Sequence, residues 1–237
     1  MSYQYNSADL VKPVDLTERE EFLLKESRTF CIYPWIHIHA YPTGEAYPCC
    51  HAEMKPGVVG NCRTQTLKEI CDGQPMQQLR DDMLNERKNP ACVRCYEQEE
   101  SGFFSGRRSA NKHHGHHIKK LDSNPFELTY WDIRFSNLCN LSCRMCFPEL
   151  SSQLLDTQKK INWIDKDTET LVDWTQDTDK WQSFLDLVKN SKHLVSLHFM
   201  GGEPLYHKRF YEFIDWAVEN DCTNYHLTFV TNATLYN

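Results

Sequence analysis

The chain has 237 residues, 40% of them apolar and 25% charged, and a net charge of −7. A mean hydropathy of −0.64, the lack of a long apolar run and a polar, charged N-terminus argue against a membrane span or a signal peptide, so a cytoplasmic location is expected. The acidic balance gives no general attraction to phosphate backbones, so nucleic acid is not implied as a partner, and the 11 cysteines read as metal ligands or free thiols rather than disulfides.

In chain order, residues 1–14 read as a flexible lead. Thr17 and Glu20 have capping-box spacing, which predicts a helix from about Leu16 to Ser27. A hairpin is expected next: residues 32–39 are strand-like, Pro42-Thr43-Gly44 makes a turn, and Ala46 to Cys50 returns. Leu67–Cys71 and Met76–Leu84 read as short helices, the second with Leu79 and Met83 on one face. Residues 101–126, rich in Gly, Ser, His and Lys, read as a linker between an N-terminal unit, 1–100, and a C-terminal unit, 127–237. Within it, His113, His114, His116 and His117, flanked by Arg107, Arg108, Lys112, Lys119 and Lys120, form either a solvated stretch or a site for a metal or an acidic partner.

From Leu128 the pattern becomes alternating strand and helix: strand 130–135, a long polar and helical stretch to Asn190, strand 194–200, helix 206–219 with Phe210, Phe213, Ile214 and Ala217, and strand 225–231. Such βαβαβ alternation predicts an α/β fold with parallel strands, whose sites gather at the strands' C-terminal ends. Two motifs fall there. After the first of these strands comes Cys139-Asn-Leu-Ser-Cys143-Arg-Met-Cys146, able to fold three thiolates around one face of a [4Fe–4S] cube and leave one iron open. After the second comes Gly201-Gly202-Glu203-Pro204, which taken alone is a tight turn with a solvated Glu. Asn232 ends the third strand, either as a turn former or as a contact to cofactor or substrate.

Together the triad and the GGE turn resemble the radical S-adenosylmethionine superfamily, with its C-x3-C-x2-C loop and GGE turn. The resemblance implies a partial (βα)6, TIM-like barrel, of which this chain would hold the first half, apparently truncated after the third strand. It implies that Cys139, Cys143 and Cys146 hold the catalytic cluster while Gly201, Gly202 and Glu203 seat the methionine part of S-adenosylmethionine. The family's aromatic residue beside the adenine has Met145 before the third cysteine, and Phe147 after it, as its counterparts here. The implied reaction is reductive cleavage of the cofactor to a 5′-deoxyadenosyl radical that abstracts hydrogen from a small-molecule or peptide substrate. The electron would come from a donor such as a flavodoxin or ferredoxin.

A second cysteine set precedes it: Cys31, Gly44 and Cys49, then the C-x2-C pair Cys92 and Cys95. Four thiolates from a hairpin and a distant pair can close a tetrahedral site for a [4Fe–4S] cluster or zinc, and the spacing does not choose between them. Cys50 could replace Cys49, because strand neighbours face opposite ways. This set, with Pro34-Trp35, Gly60-Asn61 and Leu79-Arg80, is similar to the SPASM and twitch modules, and four ligands fit the twitch form with one auxiliary [4Fe–4S] cluster. Cys62, Cys71 and Cys222 read as small buried hydrophobes. The rival reading is a non-catalytic iron–sulfur or zinc-binding electron-transfer or interaction module, its triad completed by Cys222 or a histidine, or an inactive fragment.

Overall fold

The computed structural model describes residues 15–122 and 129–235; the expected lead, 1–14, and the end of the expected linker, 123–126, lie outside the described residues. Helix α1 (Glu18–Lys25) opens on the reciprocal capping box of Thr17 and Glu20 that the spacing predicts. The expected strand 32–39 is half helix. Pro34 opens the short helix α2 (Tyr33–Ile36), where its missing N–H is not needed, and Arg80 donates Nε and Nη2 to the Pro34 carbonyl, holding the turn. Only β1 (His37–Ala40) is strand, followed by β2 (Glu45–Tyr47) and β3 (Gly60–Asn61). Helices α3 (Leu67–Cys71) and α4 (Gln74–Leu84) follow, the latter burying Met76, Leu79 and Met83.

Two helices that periodicity does not announce come next, α5 (Val93–Glu100) and α6 (Gly106–His114). The segment expected as a linker thus holds α6 and a 3-10 helix, Gly115–Asp122. The face α6 turns inward is Arg107, Ala110 and Asn111, so an apolar stripe is absent. Arg107 donates to the carbonyls of Ser27 and Phe30 and to the Glu99 carboxylate. Asn111 accepts from Ile32 N and donates to Phe30 O. Polar side chains here replace backbone partners that a loop lacks, which is how a buried irregular segment is tolerated.

The C-terminal part supplies β4 (Tyr130–Ile133), α7 (Ser152–Lys160), α8 (Thr178–Asn190), β5 (Ser196–Phe199), α9 (Lys208–Glu219) and β6 (His226–Phe229). All six strands form one mixed sheet in the order β3-β2-β1-β4-β5-β6, with β1, β4, β5 and β6 parallel and the β1–β2 and β2–β3 pairs antiparallel. The chain is therefore an α/β protein, and β1 from residues 1–100 pairs directly with β4 from residues 127–237.

The two faces of this sheet differ because side chains alternate along a strand. Ile38, Trp131, Ile133, Leu197 and Phe199 face α8 and α9, in a core where Phe135 lies edge-on to Trp174, Trp181, Phe184 and Phe199. Each large apolar side chain removed from water there contributes about 1.5–3 kcal/mol. The opposite face carries His37, His39, Asp132, Arg134 and His198. Register places His39, Asp132, His198 and Thr228 in one row across four strands. The edge strand β6 is exposed along its whole length.

Candidate metal centres

The N-terminal cysteines come from three places: Cys31 just before α2, Cys49 in the turn after β2, and Cys92 and Cys95 at and within the start of α5. Burial pushes all four thiols up, Cys92 to about 12, and neighbouring cysteines add to it at Cys31, Cys49 and Cys92, the Glu99 carboxylate at Cys95. Cys31 senses Cys92 and Cys95, and Cys49 senses Cys31 and Cys92. Cys50 is exposed, and its thiol senses Asp132, Arg134 and Cys95. Backbone N–H groups of Arg107 and Gly106, at the start of α6, reach Cys95, and that of Tyr33 reaches Cys31. Such donors stabilise thiolate over thiol, opposing the desolvation. Since α6 also clamps the Phe30 and Ile32 backbone through Arg107 and Asn111, it fixes the loop that carries Cys31.

The second set lies in the irregular loop after β4. Cys139 is buried, Cys143 exposed and Cys146 half-buried, and the Cys146 thiol is raised by burial and by the neighbouring Cys139 and Cys143. The loop is pinned at its ends. Ser152 accepts from Cys139 N, Ser151 donates to Leu141 O at 2.7 Å, and Cys146 N closes a turn onto Cys143 O. Met145 is 93% exposed and Phe147 67%, so neither side chain is packed on the protein.

The Gly201–Glu203 turn is bound to this loop. Gly202 N donates to Leu150 O and Glu203 N to Leu138 O. Gly202 sits at φ +61°, and a Cβ there would lie 2.5 Å from Leu138 O, so only glycine allows this approach. Glu203 is 2% exposed rather than solvated. Its Oε1 accepts from Leu205 N and Thr231 Oγ1 and its Oε2 from Asn232 N. Asn232 donates in turn to Asn140 Oδ1, beside Cys139. Glu203 is therefore a clasp joining the turn after β5, the end of β6 and the cysteine loop.

The polar row of the sheet was not singled out by the sequence, although the alternation His37-Ile-His39 beside Tyr130-Trp-Asp132-Ile-Arg134 carries its period-two signal. His39 Nδ1 lies 2.6 Å from Asp132 Oδ2, and its Nε2 2.8 Å from Arg134 Nη1. The same Nη1 is 3.1 Å from Nδ1, so the guanidinium lies against the ring and not along one nitrogen; the Asp132 carboxylate only accepts, so Nδ1 carries the proton given to it. The imidazole is neutral, in line with its pKa lowered by burial. Burial alone would raise the Asp132 carboxyl, but the His39 hydrogen bond and Arg134 hold it down at about 2. A second buried pair, His207 with Asp173 at 3.0 Å, stands near the turn that follows Glu203.

Among the described residues no three His, Cys, Asp or Glu side chains are closed to metal-holding geometry. The donor sets themselves fit iron–sulfur ligation: thiols only, four in the buried set and three in the open one. The class follows from these observations: an α/β protein with a mixed sheet, one group of cysteines around α2 and α5 and another in the loop after β4. Residues 31–96 match the model of SPASM, an iron–sulfur cluster-binding domain, a span that starts at Cys31 and ends beside Cys95. That span of the chain is similar to an iron–sulfur cluster-binding domain of this type. No match was found among curated proteins or among solved structures.

Proposed function

We propose that the chain is a radical S-adenosylmethionine enzyme in which a SPASM-type domain of the twitch form holds an auxiliary [4Fe–4S] cluster. The observation that carries this reading is the lacing of the Cys139–Cys146 loop to the Gly201–Glu203 turn at the C-terminal ends of two adjacent parallel strands, β4 and β5. The four parallel strands are read as one arc of a partial barrel. When bound, the cluster and S-adenosylmethionine would supply reductive generation of a carbon radical for hydrogen abstraction.

In this reading Cys139, Cys143 and Cys146 hold one cluster and Cys31, Cys49, Cys92 and Cys95 the other. The exposure of Cys143 leaves one side of the first open to a ligand, whereas the second is enclosed by α2, α5 and α6. Glycines 201 and 202 admit the methionine part of the cofactor, with Met145 and Phe147 free to fold onto the adenine. Glu203 and Asn232 position the turn and the cysteine loop relative to each other. Glu203 thus acts on the site through Asn232 and Asn140, its oxygens already accepting three donors. The substrate is a small molecule or peptide, and the electron donor a small redox protein of the flavodoxin or ferredoxin kind. Among the described residues no helix is long and apolar enough to cross a membrane.

The test is electron paramagnetic resonance of anaerobically reconstituted, reduced protein with and without S-adenosylmethionine. A cluster signal that shifts with the cofactor in wild type and is lost in Cys143→Ala supports the reading. A signal indifferent to the cofactor points instead to a closed, non-catalytic iron–sulfur module.

A further inference from the structure

Arg134 is 5% exposed, and its guanidinium is used on one side only. Nη1 lies 2.8 Å from His39 Nε2, 3.1 Å from its Nδ1 and 3.5 Å from Asp132 Oδ1. Nη2 meets only the thioether of Met200, at 3.7 Å, and Nε has no hydrogen-bond partner among the described residues. Nε–H and Nη2–H lie on the same edge of the planar group, the two parallel donors that match the two oxygens of a carboxylate. A buried donor left unpaired is costly, so the fold carries an unpartnered, pre-aimed fork.

The surroundings keep that fork in place. The Tyr41 ring lies under the guanidinium at 4.9 Å, and His39, locked by Asp132, fixes Nη1. Gly201 is the residue that lets the side chain lie where it does: a Cβ there would come 2.7 Å from Arg134 Cδ and 3.2 Å from Nε. Met200 is unbranched and half-buried, and a thioether is a weak acceptor that an oxygen anion can displace. Beyond the fork, the same face continues through half-buried His198 to exposed Thr228, so the way in lies over β5 and β6.

We propose that the Nε–Nη2 edge of Arg134 is a carboxylate-binding site on the polar face of the sheet. Asp132 already stands on the other side of the guanidinium, which favours a singly charged carboxylate over a dianionic phosphate. The carboxylate can come from an acidic substrate or from the methionine part of S-adenosylmethionine. Only the second source rests on the function proposed above, because the fork itself is a matter of geometry.

The experiment follows the arginine Nε–H resonances of the full chain, isolated with the metal it carries and held unreduced, by 1H–15N correlation spectroscopy. The Arg134 resonance is the one absent in Arg134→Lys and moved in Met200→Leu, so its assignment does not depend on either variant alone. Titration uses succinate, L-methionine and inorganic phosphate. Saturable movement of this resonance with succinate assigns the site to an acidic substrate, and movement with methionine alone assigns it to the cofactor's amino-acid part. Arg134→Lys, which keeps the charge but loses the fork, is expected to bind the same probe about tenfold more weakly, read by tryptophan fluorescence. No movement with either carboxylate, or tighter binding of phosphate, overturns the site. Repeating the succinate titration in Cys143→Ala separates the two proposals, since binding kept there upholds the fork even if no cluster responds to S-adenosylmethionine.

Discussion

The two cysteine sets are built from the same ligand and differ in everything around it. Cys31, Cys49, Cys92 and Cys95 sit among buried helices whose polar side chains, Arg107, Asn111 and Arg80, tie irregular backbone into place. Cys139, Cys143 and Cys146 sit in a loop pinned at its ends with its middle in solvent. Closed surroundings suit a group that stays; an open side suits one that must receive a ligand. Mutation should therefore separate stability from metal content differently in the two regions.

The largest effect is expected at the buried set. Cys31→Ala should remove about four irons per chain and also lower the melting temperature by several degrees, because Cys31 is 6% exposed and part of the core. Cys143→Ala should remove a like amount of iron and leave the metal-free melting temperature unchanged. Equal stability losses in the two variants would break the comparison. Arg107→Ala comes next. It takes both guanidinium donors from the Glu99 carboxylate, which keeps Ser105 Oγ, and the donor of the Ser27 carbonyl, while Phe30 O keeps Asn111, at a cost of about 1–3 kcal/mol, read by urea unfolding together with loss of the N-terminal cluster alone.

Gly202→Ala should act on the open site. The added Cβ would lie 2.5 Å from Leu138 O at a backbone of φ +61°, a strain on the order of 1–3 kcal/mol. Iron should be retained while any response of the cluster signal to S-adenosylmethionine weakens; an unchanged response would detach the turn from the site.

A smaller effect concerns pH. Burial pushes His37 down to about 3 and His114 to about 4, against about 6.5 for an unfolded histidine. The unfolded chain takes up these protons first, so stability falls as pH drops through about 6.5 toward those values. Asp132, held down at about 2, extends the loss below an unfolded carboxylate's ~3.9. Urea midpoints that decline steadily from about pH 7 to pH 5 are expected, and a flat profile would contradict the neutral burial of these rings.

How much of this was legible in the sequence depended on what kind of side chain does the holding. Strands β4 and β5 and helices such as α4 and α9 show apolar positions that match their buried faces, and Thr17 and Thr66 stand three residues before their Glu partners. Helix α6 gave no such signal, because its inward face is Arg107 and Asn111, residues that periodicity reads as solvent-facing. Residues 32–36 mixed aromatic and β-branched residues with a proline and read as strand, whereas Arg80, distant in sequence, caps them as a helix. The cysteine spacing suggested two groups of thiols, with Cys49 and Cys50 left as alternatives, but gave no sign that Glu203 would be spent as a clasp on Thr231 and Asn232. Partners so far apart leave no local pattern.

The most direct test of the central claim, one closed and one open iron–sulfur site in a single α/β chain, is electron paramagnetic resonance of the reduced, reconstituted protein with and without S-adenosylmethionine, compared between wild type and Cys143→Ala. Two cluster signals are expected, of which one shifts with the cofactor and disappears in the variant while the other is untouched by either. A single signal, or two signals that both ignore the cofactor, would contradict it.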